Sequence, residues 1–485
     1  MGKSLDINKF SISYLFSIGG YFFSTVLTAG VSFFSVPLLI RALGIKEFAK
    51  WSLIEPLIIL ISQLMLFGLN YGILKQVNLD KLPPFQTFKS LGKAAQPCML
   101  MVSIACYFIL QILGFTFYQS LWFVVLVYSE GILLLSLSTF RAASSVEGFA
   151  TGSITKASIF LIALILAVYT KYFVVSEIRD VLFWRFVAAI GGICLSLIVV
   201  RLIKNHNFFL ILHEKSKSWP LYKDAVIYGM PILITGLLAM VIEFADRYII
   251  KTYFDYITLG QYVVYLKMSK FLYPLIIAPF GLWWPTERFK RLEDDDGGKV
   301  FFKNVASVML AIYLLIGGVI WLFSPWLITW FAPGIPFKSE IVLILITSAI
   351  FMGMGAPMNI GLLNAGKTHL NIYAVLCGAF LHIVFCIALI PNFGILGAAI
   401  ALALSYFSYT ALLNYVSQRV YHVPFSYKSM TILIILALFE LLIADGIIKN
   451  VGIISSCYKS AIYVVLFSLS VFSFGNINYS IIWKK

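Results

Sequence analysis

The sequence predicts an all-α integral membrane protein of about 14 transmembrane helices, with 12 as the alternative count. Three observations predict it. The 485 residues are 61% hydrophobic and 12% charged, with a mean hydropathy of +0.95. Soluble domains carry about 25% charged residues. At half that level a soluble fold would expose apolar surface over much of its exterior, whereas lipid covers such surface on a membrane protein. Apolar runs recur along the whole chain, each near the ~20 residues that a helix needs to cross the hydrocarbon core. No stretch between the runs is long enough for a soluble domain.

The runs can be taken in order. Span one covers 12–40, behind Lys3 and Lys9. It outruns the apolar core of a cleavable signal peptide, about 7–15 residues, so it is read as retained. RALGIKEFAKW, Arg41 to Trp51, leads into span two at 52–72, which holds Glu55 beside Pro56. Span two ends in GLNYG, Gly68 to Gly72, where glycines four apart let another helix approach closely. Spans three to six cover 94–117, 121–140, 157–173 and 181–203; Glu130 interrupts the fourth and Arg185 follows Trp184 in the sixth. Spans seven to twelve cover 226–250, 262–283, 304–323, 340–362, 371–391 and 396–417. The runs at 430–448 and 460–475 decide between 14 and 12.

Lys and Arg concentrate in alternate loops. Lys75, Lys81, Lys89 and Lys93 fall in one, Arg201, Lys204, Lys215, Lys217 and Lys223 in another, and Arg288, Lys290, Arg291, Lys299 and Lys303 in a third. Arg141 and Lys156 are assigned to the same side. The positive-inside bias then predicts cytoplasmic termini. The net charge of +15 is read as this loop charge, with no nucleic acid as partner. The two halves also echo each other. Phe48-Ala49-Lys50-Trp51 lines up with Leu259-Gly260-Gln261-Tyr262, and Arg41 and Arg247 each lie shortly before. Halves that start from the same side are the pattern of a parallel-repeat transporter.

Two motif matches have plain readings. GLLNAGKT, Gly361 to Thr368, satisfies G-x-x-x-x-G-K-[ST], but a phosphate-cradling loop needs a strand before it and a helix after it in a βαβ unit. Here it reads as a polar turn with one cytoplasmic Lys. RLEDDDGGKV, Arg291 to Val300, reads as a solvated loop with basic flanks. The six cysteines are scattered without a Cys-x-x-Cys pair, which points to no metal site and no disulfide framework.

The informative stretch is EFADRYIIKTYF, Glu243 to Phe254. Each ionised side chain at the bilayer centre costs about 2.5–3.5 kcal/mol on insertion scales, so three of them must face a bundle interior or a wet cavity. Glu243, Asp246 and Arg247 are spaced i, i+3, i+4 and share one helix face. They form either a self-neutralised pair of Glu243 with Arg247 or the wall of a polar cavity. Lys267 and Lys270 sit three apart early in span eight, and Glu55, Glu130, Arg185 and His382 place further polar groups in other spans. Charges in several spans suit a shared cavity better than one structural pair. The cations Arg185, Arg247, Lys267 and Lys270 would attract an anionic substrate. The acids Glu130, Glu243 and Asp246 would hold protons or sodium, or offset the cations. Paired catalytic carboxylates, a nucleophile triad and metal-ligand spacing do not occur in the sequence. The expectation is therefore a transporter, not an enzyme, with no cofactor.

Three stretches carry a resemblance: SVPLLIRALGIKEFAKWSL (Ser35 to Leu53), FADRYIIKTYFDYITLGQYVVYLKM (Phe244 to Met268) and LIPNFGILGAAIALALSY (Leu389 to Tyr406). Together they resemble the polysaccharide-exporter branch of the multidrug/oligosaccharidyl-lipid/polysaccharide (MOP) transporter superfamily, most closely O-antigen flippases of the Wzx type. One departure is Ala49, where a Gly is usual; Gly260 keeps it in the second half. The resemblance implies two pseudo-symmetric six-helix bundles around a central cavity plus two C-terminal helices. The matching bounds are 1–205 for the first bundle, 206–225 for a cytoplasmic linker, 226–418 for the second bundle and 419–485 for the added helices. It implies flipping of an undecaprenyl-pyrophosphate-linked oligosaccharide, an O-antigen unit of lipopolysaccharide or a similar repeat, from the cytoplasmic to the periplasmic leaflet of a bacterial inner membrane. Arg41 and Arg247 match cavity cations of such proteins. A polysaccharide polymerase and a chain-length regulator are the candidate protein partners. The alternatives are a cation-coupled drug antiporter of the same superfamily, a membrane polysaccharide polymerase and a structural scaffold.

Overall fold

A chain this apolar has few ways to satisfy its backbone in lipid, and the helix, which bonds every N–H and C=O internally, is the one open to a single segment. The computed structural model describes residues 7–112, 114–170, 175, 177–203, 218–291, 296, 298–364, 370–447 and 452–475. Every regular element among them is helical. They are α1 (Ile7–Met65), α2 (Leu69–Asn78), α3 (Pro84–Ile112), α4 (Phe117–Ala142), α5 (Val146–Tyr169), α6 (Ile178–Ile203), α7 (Ser218–Tyr253) and α8 (Tyr256–Ser269). There follow α9 (Ala278–Arg291), α10 (Lys299–Phe331), α11 (Ser339–Met358), α12 (Ile360–Asn364), α13 (Asn371–Val420), α14 (Tyr427–Ile447) and α15 (Ile453–Phe474). A π-helical turn, Tyr273–Ile277, joins α8 to α9 at Pro274.

Among the described residues, twelve helical stretches are long and apolar enough to cross a membrane. Two are too long to do so once. α1 has 59 residues and α13 has 50; straight, they would run about 88 and 75 Å at 1.5 Å per residue, against about 30 Å of hydrocarbon. Each breaks at one glycine with positive φ, Gly44 (φ 76°, ψ 164°) and Gly394 (φ 57°, ψ −134°). At Gly394 the chain folds back on itself. A Cβ on Gly397 would lie 2.3 Å from the carbonyl oxygen of Leu389, whereas the two residues would be about 12 Å apart along a straight helix. Divided at the two glycines, the twelve stretches become fourteen, the number expected from the apolar runs.

The start of α5 differs from the expectation. The helix begins at Val146, not near 157, so Lys156 lies inside a span instead of a loop. The first half, VEGFATGSIT, is too polar to register as an apolar run. Its small residues instead let helices touch: a Cβ on Gly192 of α6 would lie 2.7 Å from the Gly152 carbonyl oxygen.

The chain divides into two compact units, Met1–Leu237 and Leu238–Lys485, and the division falls inside α7. In the first unit α5 packs on α6 and α1, and α4 packs on α6, α3 and α2. The GLNYG glycines take the role their spacing suggests. A Cβ on Gly68 would lie 2.4 Å from the carbonyl carbon of Gly229, and one on Gly72 would lie 2.5 Å from the Ala225 carbonyl oxygen. The N-terminal part of α7 thus rests directly on the segment that starts α2, and a Lys75–Asp224 ion pair at 2.9 Å closes the contact. The Asp224 carboxylate raises the Lys75 pKa.

In the second unit α11 packs on α13 and α10, and α14 and α15 pack on each other and on α10. Tyr463 of α15 fills a notch at Gly318 of α10, where an added Cβ would come within 2.3 Å of its ring. Its hydroxyl donates to the Leu314 carbonyl oxygen at 3.0 Å. Asp296 caps α10 by accepting from the N–H groups of Gly298 and Val300, each at 2.8 Å. Positions 292–295 and 297 of RLEDDDGGKV, and positions 365–369 of GLLNAGKT with Lys367 among them, lie outside the described residues. Gly361 of the latter motif donates its N–H to Ser417 Oγ at 2.8 Å, an interhelical contact between α12 and α13.

Candidate functional site

The EFADRYIIKTYF stretch forms the C-terminal part of α7, and the structure divides its charges between two surroundings. Asp246 is fully buried. One of its oxygens accepts from the Arg247 N–H at 2.7 Å, and the other accepts from the Tyr262 hydroxyl of α8. Arg247 is 4% exposed, with its guanidinium 4.7 Å from the Phe244 ring centroid. Buried charges need this kind of satisfaction, so Asp246 ties α7 to α8.

Glu243, one turn earlier, is half-open instead. Its carboxylate meets Lys270 Nζ at 2.6 Å, with side chains 39% and 34% exposed. Lys267 also lies within electrostatic reach of Glu243. The pair lines a narrow, open cleft together with Ser269, Tyr273, Ser348 and Tyr406. Tyr273 opens the π-helical turn, a distortion that recurs at functional sites because it re-aims side chains. Nearby in the same unit, His382 of α13 is buried, with Nδ1 3.1 Å from Ser405 Oγ and Nε2 3.6 Å from Cys386 Sγ.

The first unit holds a second charged group within its spans. Arg185 Nη2 of α6 lies 3.6 Å from Glu55 Oε1 of α1. Its guanidinium stands 5.3 Å from the Phe160 ring centroid and 5.8 Å from that of Trp51. Glu130 Oε2 of α4 meets Lys156 Nζ of α5 at 2.6 Å. Lys156 is within electrostatic reach of Glu55 and Arg185 as well, so four spans contribute to one network of two acids and two bases. Glu130 Oε1 is buried without a hydrogen-bond partner. Arg41 is exposed on α1 just before the break at Gly44.

The structure thus joins Glu243 to Lys270 and Lys267, Arg185 to Glu55, and Glu130 to Lys156. It partners Asp246 with Tyr262, not with a neighbouring cation alone. Two residues were missed in the sequence. Lys156 was assigned to a loop, and its signal was the helix-compatible stretch before it. Tyr262 was absorbed in the repeat motif, and no local pattern marks a phenol sixteen residues away as the partner of an acid.

No family model matches the sequence, and no curated protein does. Solved structures do match. The chain is similar to a lipid II flippase, MurJ, in an inward closed conformation, at 15% identity and a TM-score of 0.63, over 96% of this chain and 99% of that one. It is similar to an inward-facing multidrug resistance MATE family transporter of the MOP superfamily, at 12% identity and 0.61, over 81% and 94%. It is also similar to the Vibrio cholerae MATE transporter VcmN, at 15% identity and 0.59, over 84% and 98%. These likenesses establish the fold: a multi-pass helical membrane protein built like the transporters of the MOP superfamily.

Proposed function

We propose that the protein is a flippase that moves an undecaprenyl-pyrophosphate-linked oligosaccharide, an O-antigen or similar repeat unit, from the cytoplasmic to the periplasmic leaflet by alternating access. The observation that carries this reading is the extent of the flippase likeness. At 96% of the chain too little is left over to omit α14 and α15, which have 21 and 22 residues. The two MATE transporters match 81% and 84% of the chain. Fold alone does not fix chemistry, so the charges must agree. At the cleft Lys270 meets Glu243, with Lys267 within electrostatic reach of the same carboxylate, an excess of one positive charge that suits a pyrophosphate.

In this reading Lys270, Lys267, Arg247, Arg185 and Arg41 attract the anionic head group. Glu243, Glu130 and Asp246 offset them or carry a coupling proton or sodium ion. The head group crosses about 30 Å of hydrocarbon in a polar passage while the lipid tail stays in the bilayer. The termini face the cytoplasm of a bacterial inner membrane, and a polymerase and chain-length regulator act on the product. The second reading, a cation-coupled small-molecule antiporter, is favoured by the unpartnered oxygen of Glu130.

Ligand-induced stabilisation separates the two. A ligand that binds the folded state raises stability by RT ln(1 + [L]/Kd). Undecaprenyl pyrophosphate is expected to raise the melting temperature of the purified protein, and Lys270→Met to lose most of that rise. A rise with cationic drugs and none with the pyrophosphate lipid would favour the antiporter.

A further inference from the structure

The α14–α15 hairpin carries an acid that the cleft does not use. Glu440 lies on the inward stripe of α14 with Leu433, Ala437, Leu441 and Ala444, and it is 7% exposed. It sits about 4–5 Å from the middle of the 21-residue helix at 1.5 Å per residue. The opposite stripe, Ile435, Phe439 and Leu442, is at least 60% exposed and faces lipid. Ser470 Oγ of α15 donates to Glu440 Oε1. Oε2 is buried with no hydrogen-bond partner.

No cation pairs with Glu440 among the described residues. The hairpin's Lys459 is committed to Asp445 at 2.7 Å, more than one turn further along α14. Tyr463, which faces Glu440 from α15, has its hydroxyl committed to the Leu314 carbonyl oxygen of α10. At that contact α10 presents Gly318, which bears no titratable group. The other acids discussed above differ. Glu55, Glu130 and Glu243 each meet a cation, and Asp246 accepts a hydroxyl and an N–H.

An ionised carboxylate near the bilayer middle with neither counter-ion nor N–H donor is strongly disfavoured, and a buried group in that position neutralises instead. We propose that Glu440 is a proton-binding site inside the membrane, separate from the α7–α8 cleft, and that its ligand is H+ held on the carboxyl between α14 and α15. The proton removes the uncompensated charge. Ser470 serves the remaining polar need of one oxygen, and the lipid-facing stripe of α14 keeps water away. The site is independent of the transport reading.

The test uses the whole protein in proteoliposomes near pH 7, where solvated carboxyls are ionised. Infrared spectroscopy is expected to show the carbonyl band of a protonated carboxyl. Glu440→Gln, which replaces a neutral acid by an amide of the same shape, should remove that band and leave the melting temperature unchanged. Ser470→Ala should keep the band and move it to higher frequency as one hydrogen bond is lost. Dicyclohexylcarbodiimide, an apolar reagent for protonated carboxyls, should label Glu440 and leave the ion-paired Glu55, Glu130 and Glu243 unlabelled. A spectrum without the band, or a band that survives Glu440→Gln, overturns the proposal.

Discussion

Replacing Gly229 by Ala probes how α7 is held. The added Cβ would lie 2.0 Å from the Gly68 carbonyl oxygen, 2.6 Å from its carbon and 3.0 Å from its Cα, against ordinary contacts of 3.4 Å or more. The two backbones must part by about 1.4 Å, because no side chain is present to rotate away. Gly68 itself has φ 81°, so its segment cannot easily change conformation. Overpacking of this kind costs about 1–3 kcal/mol. At the 2–4 °C per kcal/mol of soluble domains of comparable size, melting in detergent should fall by about 2–12 °C. Gly236, two turns along the same helix, supplies the control. Its Cβ would meet nothing closer than 3.9 Å, and Ala is the better helix former by up to ~1 kcal/mol. Gly236→Ala should melt at or slightly above wild type. If Gly229→Ala also melted at the wild-type temperature, the close crossing of α7 over the start of α2 would be wrong.

Three further outcomes are expected. Glu243→Gln and Lys270→Met should change pyrophosphate binding in opposite directions, tighter in the first and weaker in the second, by titration with the soluble anion. The pair is about a third exposed, so it contributes only ~0–1 kcal/mol to stability and both variants should fold. Gly318→Val should drive Tyr463 out of its notch and lower thermal stability by about 1–3 kcal/mol, read as faster proteolysis of the α14–α15 hairpin. Asp255 caps α8 through hydrogen bonds from Thr258, which hold its carboxyl below the usual aspartate range. A lowered pKa gives stability that is present above the unfolded value and lost as the pH falls through the folded one. Asp255→Ala should therefore lower the melting temperature at neutral pH, and its difference from wild type should shrink on acidification.

Much of the fold was legible because a span needs about 20 apolar residues, and that pattern survives without knowledge of contacts. The breaks were legible too, since Gly44 and Gly394 sit between runs that are each one bilayer long. The start of α5 was not legible. Helix contacts in lipid use small residues such as Gly152 and Gly192, which a hydropathy reading takes for loop. The charged spacing at Glu243, Asp246 and Arg247 predicted a polar face but not its division, because burial of Asp246 depends on Tyr262 from another helix. The i, i+3 pair Lys267 and Lys270 was visible as a face; its meeting with Glu243 required the packing of α8 on α7. Glu440 drew no notice in LALFELLIADG, since one acid in an apolar run gives no sign of its depth or partners.

The most direct test of the flippase reading follows lipid-linked sugar across a bilayer. Proteoliposomes would hold the purified protein and an undecaprenyl-pyrophosphate-linked repeat unit, with a membrane-impermeant glycosidase outside. With wild-type protein the sugar on the inner leaflet should become accessible over time. Lys270→Met should slow this severalfold while remaining folded. Sugar that stays protected with wild-type protein, with proton and sodium gradients imposed and several repeat units tried, would contradict the account.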